Sequence, residues 1–255
     1  MAKQVHKLAA WAVICLAIAV IVYVAGVDVA HAQSMTIDLG KSTGGTATGR
    51  LIQLIVLLTV ISLAPSILVM MTSFMRIVIV LSFLRNAMGT QQTPPNQVLI
   101  SLALFLTAFI MAPVFEQSYT EGVQPLLEEK ITEEQALEKI GAPFHGFMLK
   151  HTREKDLSLF IGMAKVDIET PEDTPYRVLI PAFMISELKR AFEIGFLVFI
   201  PFLIIDMLVA SILMAMGMMM LPPVMISLPF KLIFFVLVDG WYLVCGSLVK
   251  SFGTL

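Results

Sequence analysis

Ile194 to Met216 reads IGFLVFIPFLIIDMLVASILMAM, 23 residues with one charge, Asp206. At ~1.5 Å per residue a helix of this length spans about 34 Å, enough to cross a hydrocarbon core of ~30 Å. Pro201 sits inside it and an amphipathic lead begins at Ile180, so this span continues a longer helix. Working outward, three more apolar stretches appear. Leu51–Phe74 resumes after Arg76 and runs to Leu84, Val98–Val114 is the second, and Ile226–Val249 is the last. The expected fold is therefore all-α: a multi-pass membrane protein with about four apolar helical hairpin segments.

Composition agrees. The chain is 58% hydrophobic and 14% charged, with mean hydropathy +0.88. A soluble domain of 255 residues needs more polar surface than this. A net charge of −2 gives no electrostatic case for a nucleic-acid partner. Cys15 and Cys245, one near each end, build neither a disulfide framework nor a zinc spacing.

The order of segments divides the chain. Lys3 and Lys7 precede an apolar run from Leu8 to Val24, and Ala30-His31-Ala32 places small residues where a signal peptidase reads them. Residues 1–32 are thus expected to be a signal peptide cleaved before Gln33; an uncleaved first transmembrane helix is the alternative. Residues 33–50 are a Gly/Ser/Thr-rich lead-in, and 51–115 a first helical hairpin. A single helix over Leu51–Leu84 would be ~50 Å long, so it must break, and Pro65 is the expected place. Residues 116–180 form a hydrophilic insert with 13 Asp/Glu and 7 Lys/Arg. It is expected to be mostly helical, with Glu128-Glu129-Lys130 and Glu133-Glu134-Gln135 on one helical stretch, Leu149–Met163 on a second, and Thr170–Pro175 in a turn. Thr132 with Gln135 reads as a capping box. Residues 181–255 form a second hairpin with a Met-rich loop. A cleaved leader would make the insert periplasmic.

Catalytic constellations are absent from the sequence. Gly40-Lys41-Ser42 lacks the earlier glycine of a phosphate loop, where Met35 stands. His145 and His151 are six apart, which is not a one-face pair, and read as surface residues; no metal site and no cofactor is expected. Asp206 and Asp239 lie 14 and 19 residues from Met220, a depth mismatch of roughly 7 Å that disfavours a shared-proton dyad.

Charges within or beside apolar spans must find partners: Arg76, Glu187, Glu193, Asp206, Lys231 and Asp239. Asp206 and Lys231 agree in depth within about 5 Å across the last hairpin and are expected to pair; a partner for Glu187 belongs to another helix layer or subunit. Seven of the 17 methionines fall between Met207 and Met225. Met214, Met216, Met218, Met219 and Met220 cluster beside Gly217 and Pro222-Pro223, where flexible thioethers suit a surface that closes on variable partners.

Three stretches resemble one family. They are Pro181-Ala-Phe-Met-Ile-Ser-Glu-Leu-Lys-Arg-Ala-Phe-Glu-Ile-Gly-Phe196, Met216-Gly-Met-Met-Met-Leu-Pro-Pro223 running into Leu228-Pro-Phe-Lys231, and Met71-Thr-Ser-Phe-Met-Arg76 through Arg85-Asn-Ala-Met-Gly89 to Pro94-Pro-Asn-Gln97. Together they resemble the FliP family of flagellar biosynthetic proteins, over roughly Leu51 to the C-terminus. The resemblance implies a non-enzymatic, inner-membrane subunit of the type III export gate at the flagellar basal body. It implies homo-oligomerisation with FliQ-like and FliR-like subunits, neighbours of FlhA-like and FlhB-like kind, and unfolded proteins as cargo. The injectisome paralogue is similar across the same motifs, and a secondary transporter fits the hydropathy alone. Arg76, Glu187, Asp206 and Lys231 would then serve assembly, and the five methionines would line the pore.

Overall fold

The computed structural model describes residues 47–90, 92–166, 168–218 and 221–253. The leader with Ala30, Ala32 and Gln33, the Gly40-Lys41-Ser42 run, and Met219 and Met220 lie outside the described residues. Contacts separate Met1–Gln53 from Leu54–Leu255, and the second unit holds the core and the buried charges.

Every regular element among the described residues is helical. The first apolar segment is two helices, α1 Ala47–Met70 and α2 Phe74–Ala87. The break is at Met71–Ser73, not at Pro65, which lies inside α1. Local side-chain bonding explains the position. Thr72 Oγ1 donates to Val69 O at 3.1 Å and accepts from the Phe74 N–H at 3.5 Å, competing with the helical ladder.

A polar turn follows, in which Arg85 bonds to the Asn96 side chain. Helix α3, Asn96–Ser118, does not stop at the expected edge of the insert. It continues through one π-turn, Tyr119–Val123, into α4, Gln124–Leu127. Glu128-Glu129-Lys130 lies in the turn after it, with Glu129 at φ 56°, and so is not on the helix that carries Glu133. That helix, α5 (Glu133–His151), opens with the Thr132–Gln135 capping box. Gly122 lets it approach the π-turn: a Cβ there would stand 2.5 Å from Ile140 Cγ1.

The insert's second helix is α6, Glu154–Ala164, and the expected helix over Leu149–Met163 is divided. Thr152 donates its hydroxyl to Met148 O at 2.7 Å, and Thr152 and Arg153 are extended, so α5 ends there. A single 3-10 turn, Pro171–Asp173, occupies the predicted Thr170–Pro175 turn.

Helix α7 runs unbroken from Tyr176 to Ala215, 40 residues, with Pro181 and Pro201 inside it. The last apolar segment is α8, Pro223–Leu237, and α9, Gly240–Lys250, bent by 63° at Val238–Asp239. At the bend Asp239 takes φ 50°, and Gly240 comes so close to Phe235 that a Cβ would meet its ring at 2.1 Å.

Among the described residues, two helical stretches, Asn96–Leu127 and Tyr176–Ala215, are long and apolar enough to cross a membrane, and the bent α8–α9 pair makes a third if counted as one span. The first segment adds α1, a 24-residue apolar helix ending at Met70, and the last segment is bent rather than straight. The core lies where α2 meets α7: Ile77, Val80, Leu81 and Leu84 recur at helical spacing and are fully buried. Gly195 of α7 receives the Phe83 ring, which would be 2.7 Å from a Cβ. The outward faces are apolar. Phe105, Phe196, Val236 and Leu237 are each at least two-thirds exposed, a surface suited to lipid or other subunits rather than water.

Candidate functional site

The charges within the apolar segments form two ion pairs at opposite ends of α7. At the insert end Arg76 of α2 and Glu187 of α7 are both at 0% exposure. The pair is bidentate: Nε donates to Glu187 Oε2 at 2.8 Å and Nη2 to Oε1. Nη1 donates to Ser251 Oγ at 2.9 Å and Ser251 O at 3.2 Å, and the guanidinium carbon lies 3.7 Å from the Phe252 ring centroid. Glu187 thus finds its partner on another helix of the same chain.

Near the other end, Lys231 of α8 donates to Asp206 Oδ2 of α7 at 2.6 Å and to Ala87 O of α2 at 3.2 Å. Ser227 Oγ bonds to the other carboxylate oxygen at 2.5 Å. The depth agreement read from the sequence is therefore realised within one chain. Asp206 is committed to Lys231 and Ser227, while Asp239 is exposed at the bend. Glu193, exposed, makes a surface pair with Lys189 at 3.5 Å.

One polar group in the insert escaped the sequence reading. Asp156 of α6 takes two bonds from Arg153, at 2.8 and 2.9 Å, and one from Ser186 Oγ at 2.6 Å. Ser186 also accepts from the Arg153 N–H at 3.0 Å. It precedes Glu187, so one turn of α7 holds the insert on one side and α2 on the other. The i, i+3 spacing of Arg153 and Asp156 was visible; the partner 30 residues away was not.

The two insert histidines are half-buried, each packed against aromatic neighbours. The His145 ring nitrogen Nε2 is 2.7 Å from Thr174 O, and the ring stands edge-on to Tyr176. His151 packs against Phe147 and Phe252. Burial, then the positive charges of Arg76, Lys150 and Arg190, push its pKa down to about 4. A proton is therefore excluded from this ring at neutral pH. No group of His, Cys, Asp and Glu among the described residues could hold a metal ion.

At the far end of α7, Met214, Met216 and Met218 are 61%, 59% and 45% exposed. Gly217 is not a loose point in the loop. It takes φ +75°, with its N–H bonded to Met214 O and that of Met218 to Leu213 O, a Schellman stop that ends the helix in a defined direction. Pro223 then starts α8 at a position where a missing N–H costs nothing. Three large apolar side chains are thus exposed beside the stop of α7.

These features define a class: a helical membrane protein with internally neutralised charges, wide apolar outer faces and an exposed methionine turn. The FliP family model matches residues 57–248. A flagellar biosynthetic protein FliP of Caulobacter vibrioides is 61% identical over 224 residues, 88% of this chain and 84% of that one. Its counterpart in Bacillus subtilis is 58% identical over 217 residues, covering 85% and 98%. That of Pectobacterium carotovorum is 57% identical over 210, covering 82% and 81%. The chain belongs to the FliP family.

Proposed function

We propose that the chain is a flagellar biosynthetic protein: a non-enzymatic component of the flagellar protein-export apparatus, seated in the bacterial inner membrane at the basal body. Several copies, together with FliQ-like and FliR-like subunits and beside FlhA-like and FlhB-like components, would build a gate for unfolded flagellar proteins. In that gate the two ion pairs serve assembly, by fixing the faces each subunit presents. Family membership supports this reading, and the three relatives named above are flagellar biosynthetic proteins by name.

The single structural observation that carries the mechanism is the outward display of Met214, Met216 and Met218 at the tip of the α7–α8 hairpin. A gate must pass chains of any sequence without leaking ions. Thioethers with three rotatable bonds re-pack around varied cargo, and an apolar constriction resists wetting. Repeated around a ring, and joined by Met219 and Met220, they would form a deformable seal. Replacing Met214, Met216 and Met218 with alanine is expected to raise ion leakage across the membrane while export persists. Leucine at the same three positions is expected to be milder, since volume and apolarity are kept. Membrane conductance of strains with an assembled complex is the measurement. Unchanged leakage in the alanine strain reduces these methionines to packing residues.

A further inference from the structure

Helix α9 is attached at its two ends and by Val244 between them. At its start Gly240 is pressed on Phe235; at its finish Leu248 and Val249 are buried, followed by Phe252. Trp241, Tyr242 and Leu243 between these points are exposed. The first attachment is the bend itself, where Asp239 holds a left-handed backbone conformation. The second combines Leu248 and Val249, packed in the core with Phe252, with polar contacts made by the residue beyond the helix, Ser251. Ser251 gives Arg76 two acceptors while its own hydroxyl donates to Leu248 O at 2.7 Å. Phe252 lies over the guanidinium, stacks on Phe147 at 6.1 Å and 16°, and meets the His151 edge at 5.2 Å.

We propose that Ser251 and Phe252 form a latch closed by Arg76, which ties the C-terminal end of α9 to the last turns of the insert helix α5, and that opening it loosens α9 from that end. Arg76 is suited to this as no lysine is. Its planar fork binds Glu187 along one edge and Ser251 along another, and leaves a flat cationic face for Phe252. The latch is separate from the hairpin pair: Asp206–Lys231 holds α7 to α8 on the far side of the bend. It also joins two parts of the chain distant in sequence, so loosening Phe252 must loosen Phe147 and His151 as well.

The test is amide hydrogen exchange on the full chain in its purified membrane complex, with trypsin cleavage after exposed Lys250 as a second readout. Ser251→Ala and Phe252→Leu leave the Arg76–Glu187 pair in place, so the core should stay folded. Both are expected to speed exchange in Gly240–Lys250 and cleavage at Lys250 about tenfold or more. Phe252→Leu should also speed exchange in the last turn of α5, while α7 and α8 around Asp206 and Lys231 stay as protected as before. Arg76→Lys should exceed either in its effect on α9. Unchanged α9 protection in Ser251→Ala and Phe252→Leu overturns the latch. So does an equal loss of protection in α8, which would make these residues part of one undivided core. Exchange is read without reference to export, so failure here leaves the export reading where it stood.

Discussion

The two ion pairs of α7 solve the same problem with different chemistry. Arg76–Glu187 is wholly dry, and the guanidinium satisfies its neighbours on two edges and one face. Lys231–Asp206 is drier on one side than the other, with the lysine 5% and the aspartate 29% exposed, and the ammonium acts as a point charge between a carboxylate and one carbonyl. The first joins α2, α7 and the C-terminal segment; the second joins α7, α8 and the end of α2. Each cation holds three elements, the arginine with a planar fork that bonds along two edges and stacks on one face, the lysine with a compact ammonium. The difference teaches that the wholly dry site uses the cation that can fill more bonds at once, and the partly wet site the simpler one.

The largest expected effect comes from stranding the drier carboxylate. Arg76→Leu leaves Glu187 buried without a partner and should cost about 3–5 kcal/mol, read from denaturant unfolding of the purified complex. Stability within about 1 kcal/mol of the wild type would mean that water reaches Glu187 and the contrast fails.

A smaller loss is expected at the hairpin. Lys231→Ala should cost about 2–3 kcal/mol, less than the arginine change because Asp206 keeps partial access to solvent. The double change Lys231→Leu with Asp206→Leu removes both charges and should be milder than the single one. If the double is as damaging in the same unfolding assay, Ser227 and Ala87 O depend on the charges and the pair is not separable.

The smallest effect sharpens the comparison at the Arg76 end. His151 has an ordinary value of 6.5 and a folded one of about 4, set by burial and by Arg76, Lys150 and Arg190. Between these values the unfolded chain takes up a proton that the folded chain refuses. Stability is therefore fully present above 6.5, falls as pH drops towards 4, and is flat below that for this group. Discounted for the ring's partial exposure to solvent, the loss is about 2 kcal/mol. Melting temperature against pH measures it, and His151→Gln should flatten the slope between those two values. A slope that survives the change belongs to other groups.

Much of this molecule was legible one helix at a time. The apolar runs around Val98–Val114 and Ile194–Met216 read as helices because they are far longer than a strand of ordinary length. Thr132 and Gln135 cap a helix because both partners lie within one turn of each other. Asp206 and Lys231 could be matched by counting from one turn. What counting did not find were the ends and bends. Pro65 looks like a break and is not. Thr72, Thr152 and Asp239 look innocuous and mark the real ones.

The sequence by itself determined that this chain is helical, that its helices face something other than water, and that buried charges must be matched. Each of these follows from composition and spacing along one strand of residues. Only the tertiary structure decided that Glu187 meets Arg76, 111 positions away, that Ser186 reaches Asp156, and that Phe252 lies between a guanidinium and two rings of the insert. The reason is that a buried side chain is fixed by whichever surfaces close around it. Those surfaces come from segments whose order in the chain carries no record of their distance in space.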